Sequence, residues 1–200
     1  MIKKLLKIIF VFILSSPMFS QQANDAEANE NSNPIIYVEG FGGPTVVKNI
    51  GISGGVELNC QSGKSLFSFR YINAVGYRQR EENYIIAPRF YKSEDTKEYA
   101  LLYGGRWLSD NHSYSISAGI SRVNMEWAVR DLDDVRHGYY ENFYAVPFEA
   151  NYKWFYSKKK SNLIFNAMIP SVGVKLFGSI GEYSFVGVGV TVGFGFSKHY

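Results

Sequence analysis

Cysteine is nearly missing: Cys60 stands alone in 200 residues. No internal disulfide can form, and a thiol that far into the chain is not a lipid-anchor cysteine; it reads as a small apolar outward residue. Charge of one sign is missing as well. The 21 Lys and Arg exceed the 18 Asp and Glu by three, and Lys3, Lys4 and Lys7 near the N-terminus account for that whole excess. The remainder is neutral, which removes the electrostatic footprint of a nucleic-acid partner. Long apolar runs are absent beyond the first twenty residues, where none reaches the roughly 18 residues of a membrane helix. If the rest of the chain enters a membrane, strands must carry it. The glycine-rich GFGG at Gly40–Gly43 is followed by no helix, so it reads as a bend and not a phosphate loop.

What is present begins with MIKKLLKIIFVFILSSPMFS. Lysines precede the apolar run Ile8 to Leu14, and small residues follow it, which is a signal-peptide layout with a cut predicted after Ser20. Residues 21–34, QQANDAEANENSNP, are polar and lack aromatics, predicting a disordered linker. Residues 35–200 form the third unit, and its end organises the reading. From Val186 to Phe196 the even positions are Val, Val, Val, Val, Phe, Phe and the odd ones Gly, Gly, Thr, Gly, Gly. Side chains alternate faces along a strand, so one face is bulky and apolar and the other nearly bare. A narrow closed barrel wants that arrangement, with small side chains in a crowded lumen and large apolar ones toward lipid.

The same alternation gives seven more strands and an all-β, closed, antiparallel up-and-down transmembrane barrel of eight. The first runs from Ile35 to Gly43 and ends at Pro44. The second, Asn49 to Cys60, turns at Gln61–Lys64, and that four-residue turn pairs Leu58 with Phe67. The third carries Phe67, Phe69 and Tyr71. The fourth, Tyr99 to Leu108, turns at Ser109–His112 and pairs Trp107 with Tyr114 in the fifth, whose apolar phase changes beyond Ser121 to Val123, Met125 and Trp127, as a bulge would produce. The sixth carries Tyr144 to Trp154 and turns at Ser157–Lys160. That turn sets Pro147 across from Pro170 of the seventh strand, with a shared bulge expected there. The segment Gln79 to Lys97 reads as strand extensions rising above the membrane; a complete hairpin in the sheet there would make ten strands. Aromatics gather beside the short turns (Phe67, Phe69, Trp107, Tyr114, Trp154, Phe155, Phe194, Phe196) and again toward the far ends (Tyr77, Tyr99, Trp127, Tyr139, Tyr140, Tyr144, Tyr183), predicting two girdles.

With this strand pattern, the signal ending MFSQQ and the aromatic C-terminal TVGFGFSKHY, the chain resembles the small eight-stranded outer-membrane barrels of the OmpA and OmpX kind, particularly the barrel-domain proteins of the Bacteroidota. The resemblance spans about Ile35 to Tyr200. It implies export, outer-membrane localisation, lipid as the surrounding partner, and a C-terminal strand read by the outer-membrane insertion machinery.

The charges on the small-residue face, Glu57, Arg70, Arg106, Glu149, Lys153 and Lys175, with Arg122 and Glu126 joining after the expected bulge, must pair if they lie inside. A structural ion network filling the lumen is the favoured expectation; a narrow gated pore is the functional alternative. No catalytic, cofactor-binding or metal site is assigned. His112 and Ser113 lack a second histidine or acid to orient them, and Asp131 to His137 reads as a charged outer loop before it reads as a hydrolytic or cation site. Tyr84, Arg89, Phe90 and Tyr91 form a candidate surface-contact loop suited to extracellular protein or glycan. The competing class is a secreted soluble barrel carrying an apolar ligand, which would turn Val188, Val190 and Val192 inward.

Overall fold

The computed structural model describes residues 34–79, 90–109, 111–130, 136–155 and 168–196. The signal and linker segments, Tyr84, Arg89, Asp131 to Val135 and the Ser157–Lys160 turn lie outside the described residues. Eight antiparallel strands follow in order: β1 Ile35–Val46, β2 Ile50–Ser62, β3 Ser65–Gln79, β4 Phe90–Leu108, β5 His112–Arg130, β6 Arg136–Phe155, β7 Met168–Ile180 and β8 Phe185–Phe196. Each pairs with the next, and β8 pairs with β1 to close the barrel. The ten-strand alternative is thereby excluded. Residues 90–98 are the first half of β4, and β3 continues to Gln79 to pair with them.

The register fixes the barrel's geometry. From Ile36, partners taken strand by strand are Cys60, Phe67, Tyr103, Ala118, Phe148, Gly178 and Val186, and Val186 lies opposite Val46. The circuit returns to β1 ten residues from its start. A stagger of ten over eight strands tilts them by about 40° to the barrel axis.

Four expectations are corrected. The β2–β3 hairpin closes on a two-residue turn, Gly63-Lys64, with Ser62 opposite Ser65; Leu58 therefore faces Phe69, and Phe67 faces Cys60. Gly63 has φ 57°, which the tight primed turns of hairpins require at their first central residue and glycine supplies without strain. Second, β1 does not stop at Pro44 but continues to Val46. Its ladder to β8 skips Gly43 and Pro44, so the proline, which has no N–H to donate, sits where no bond is asked of it. Third, β5 carries no bulge at Ser121: its pairing with β4 is unbroken from Trp127 to Ser113. Val123 and Met125 consequently point inward and are fully buried, while Arg122 and Glu126 point outward and are exposed. Fourth, Pro147 and Pro170 do not meet. Pro147 lies opposite Ser179 and Pro170 opposite Phe194, because β6 and β7 pair in the register that sets Phe155 opposite Ser171. The register shift that is present lies between Gly76 and Tyr77, where Ser93 of β4 is the extra residue.

Alternation then builds the interior in layers. At the end holding the start of β1 and the finish of β8, here the near end, Ile35, Tyr37 and Leu66 form an apolar floor. Charged side chains occupy the middle. Above them Phe41, Ile72, Ala74, Phe177 and Phe185 pack together beside Val123, Met125, Phe143 and Ala145, and Val47 packs against both groups. Glycine on the inner face of β8 and of β2 has a steric cause: a Cβ at Gly187 of β8 would come within 2.7 Å of the Phe177 ring, and one at Gly55 of β2 within 2.7 Å of Phe41. Phe41 and Phe177 meet edge to face at 5.0 Å, so the glycines make room for the rings.

Candidate functional site

The central layer is built from inward positions on seven strands, two of them on β6. Glu39 of β1 and Glu57 of β2 lie directly opposite each other, a like-charge pairing that is unfavourable by itself. Lys175, reaching in from β7, resolves it: its Nζ donates to Glu39 at 2.8 Å, to Glu57, and lies 3.2 Å from Glu149 of β6. Lys153 of β6 donates to the other oxygen of Glu39. Arg70 of β3 reaches Glu98 of β4 at 2.9 Å and Glu149 at 3.2 Å, and donates to the Phe148 and Gly178 carbonyls at 3.2 Å each. Ser117 of β5 donates to Glu149 at 2.9 Å. Arg70, Lys175, Glu39, Glu57, Glu98 and Glu149 are all buried to within 2 %. Charges so far from water hold only when paired and hydrogen-bonded.

Of the predicted lumen residues, Glu57, Arg70, Glu149, Lys153 and Lys175 meet in this layer. Arg106 does not. It lies toward the near end, donates to Gln61 at 2.9 Å and Ser113 at 3.3 Å, and stacks 4.5 Å from the Tyr37 ring centroid. Glu39 and Glu98 were not anticipated. Glu39 sits in the alternating phase of a strand read for its glycines, and Glu98 lies one residue before the expected start of β4, on the same face as Arg106.

Outside, the near-end aromatics are exposed: Phe67, Phe69, Tyr103, Trp107, Tyr114, Tyr152, Trp154 and Phe194. Trp107 stacks on Tyr114 at 5.4 Å, and His112 stacks on Tyr152 at 5.9 Å. His112 thus belongs to the outer belt, whereas its neighbour Ser113 is buried inside; the two face opposite sides of the wall and form no catalytic pair. Phe196 closes β8 against Ile36 and Met168. Toward the far end, Tyr77, Tyr99, Tyr140 and Tyr144 are exposed outward. Trp127 and Tyr183, expected in that girdle, instead cover the lumen's mouth: the rings lie 5.6 Å apart, Tyr183 also meets Phe143 at 5.6 Å, and Lys48 Nζ lies 4.4 Å from Tyr183 and 5.1 Å from Trp127. Trp127 has an inward strand position and Tyr183 lies in the β7–β8 link, and the β1–β2 link is held over them by Asn49 and the Lys48 N–H, both donating to Glu94, at 2.8 and 3.2 Å.

β4 parts from β5 beyond Glu94 and Trp127, although β3–β4 and β5–β6 stay paired farther out. The two hairpins leave a cleft of about 440 Å³ lined by Lys92, Glu94, Glu126, Trp127, Tyr139 and Tyr140 among others. Phe90 and Tyr91 begin β4 above it. Among the described residues, no cluster of three His, Cys, Asp or Glu is placed to hold a metal ion, and no helix is long and apolar enough to cross a membrane.

No protein-family model matches the sequence, and no curated protein matches it. Among solved structures it is similar to the N-terminal β-barrel domain of Pseudomonas aeruginosa OprF (11 % identity, TM-score 0.49, 81 % of this chain and 97 % of that one). It is similar also to neisserial surface protein A (10 %, 0.48, 82 % and 96 %) and to Ail, the attachment invasion locus protein of Yersinia pestis (8 %, 0.47, 82 % and 97 %). The eight-stranded architecture itself rests on the closed strand order and the register of this chain.

Proposed function

We propose that the chain is an integral outer-membrane barrel of a bacterial envelope, exported by its N-terminal segment and inserted through its C-terminal strand. Its role is structural and surface-contacting, with a filled lumen and no catalysis. One observation carries this: the polarity of the wall is inside out. Val188, Val190 and Val192 are 47, 59 and 48 % exposed on the outer surface, while Arg70 and Lys175 are wholly buried. A soluble domain does not leave a continuous belt of this size to water, whereas a bilayer requires it and demands a closed sheet with no free edge. An apolar-ligand carrier needs those valines lining its cavity, and they do not line it.

The filled lumen is supported by the stacked apolar and ionic layers and by the aromatic cover at the far end. Surface contact is supported by the two hairpins that project beyond the rest of the wall and by the aromatic and charged cleft between them; Tyr84 and Arg89 lie in the sequence between the described end of β3 and the start of β4, whose first residues are Phe90 and Tyr91, and extracellular protein or glycan is their partner class. The test has two parts. The folded protein is expected to float with phosphatidylcholine vesicles in a density gradient, where a soluble carrier would stay at the bottom. In planar bilayers it is expected to give no steady single-channel conductance; regular openings would replace the filled lumen with a pore.

A further inference from the structure

On the outer face of β4, β5 and β6, apolar and polar rows change over within two residue pairs. Leu101, Ile120 and Val146 are exposed apolar residues of one band. One row farther out, Arg122 lies between Tyr99 of β4 and Tyr144 of β6, all three exposed, Tyr144 at 84 %. The next row is wholly polar, with Lys97 opposite Asn124 and Asn124 opposite Asn142. Arg122 and Lys97 are diagonal neighbours on one face, about 7–8 Å apart at such positions, so two long cationic side chains can converge on one group. Among the described residues neither forms a salt bridge. The carboxylates one row beyond are Asp95, paired with Lys92 at 2.5 Å, and Glu126.

We infer that Arg122 and Lys97, framed by Tyr99, Tyr144, Asn124 and Asn142, bind the phosphate of an anionic lipid in the leaflet surrounding the far end of the barrel. The inference rests on the membrane reading above. Charge complementarity and level both select this occupant. The guanidinium offers a planar fork matched to phosphate oxygens, the lysine adds a second charge, and the tyrosines are amphipathic rings of the kind that sit at head-group height. Acyl chains would run down the Leu101, Ile120 and Val146 band. A free phosphate would satisfy the cations but leave that adjoining apolar band without a role.

The test uses the full folded chain. Flotation with phosphatidylcholine vesicles is scored first, for the wild type and for Arg122→Gln, Lys97→Gln and the double variant. All are expected to float; failure of the wild type would overturn the membrane reading and this site with it. Each protein in maltoside micelles is then offered phosphatidic acid and phosphatidylcholine of identical chains, and retained lipid is counted by native mass spectrometry. The wild type is expected to prefer phosphatidic acid, with each single substitution weakening its retention by about fivefold, as expected for one basic residue at a membrane surface, and the double variant losing the preference. Equal retention of both lipids by the wild type, or an unchanged double variant, overturns the site. So does a preference erased by excess inorganic phosphate, which would assign a free-phosphate site instead.

Discussion

Lys175 meets Glu39, Glu57 and Glu149 at once, so its removal leaves three carboxylates facing one another with Lys153 and Arg70 as the remaining cations. Lys175→Met is expected to destabilise the folded barrel by about 3–5 kcal/mol, the scale for stripping a buried charge of its partner, measured as a lower urea midpoint for vesicle-embedded protein. Adding Glu57→Gln to it removes one uncompensated charge and should recover part of the loss; no recovery would mean that the layer is not coupled in this way. At this scale the sequence was informative where polar and small residues alternate cleanly. Glu57, Arg70, Glu149 and Lys175 each stand between apolar neighbours, and parity alone places them inside. It was silent about which of them touch, since partners across a lumen come from strands distant in the chain. Arg106 illustrates the limit: its face was legible, but its height near the floor, beside Tyr37 and Gln61, depends on the stagger of the whole wall.

For the strands, the informative failure is β5. An apolar residue is welcome both in lipid and in a packed interior, so Val123 and Met125 in the phase of serines fit either a bulge that turns them out or an apolar layer that keeps them in. The unbroken pairing with β4 selects the second. Thiol labelling distinguishes the two in a Cys60→Ser background: a cysteine at Val123 is expected to resist a water-soluble maleimide in folded protein, and one at Asn142 to react rapidly. Labelling at position 123 would restore the bulge and return Arg122 to the lumen. The proline reading failed for a related reason. A turn at the nearest turn-like residues, Ser157–Lys160, sets the expected register of β6 against β7, whereas the described ladder pairs Phe155 with Ser171. Where a turn is short and its glycine decisive, as at Gly63, the hairpin was legible to within two residues, and a slip of two left every side chain on its proper face.

At the scale of the molecule, fold class and strand number followed from period-two patterning, because a closed wall buries one face of every strand. Stagger, layering and the covered mouth did not, because each depends on how eight strands are offset against one another. Since Gln79 and Phe90 are already paired, residues 80–89 are not needed to close the wall. Replacing them with Asn-Gly, a two-residue hairpin turn, is expected to leave flotation and the urea midpoint unchanged within about 0.5 kcal/mol, the usual range for changes away from packed features. A large loss of stability would show that this segment packs on the barrel instead of serving contact alone.

The unequal strand lengths carry one more consequence. At a tilt of about 40°, the 12 residues of β1 and β8 climb roughly 30 Å, while the 19 or 20 of β4 to β6 climb about 50 Å. One flank therefore ends some 20 Å below the other, like a cylinder cut on the slant. On the proposed outer-membrane reading its opening would look sideways, along the cell surface, and a partner docking between the tall hairpins would have to arrive laterally and lie low against the membrane.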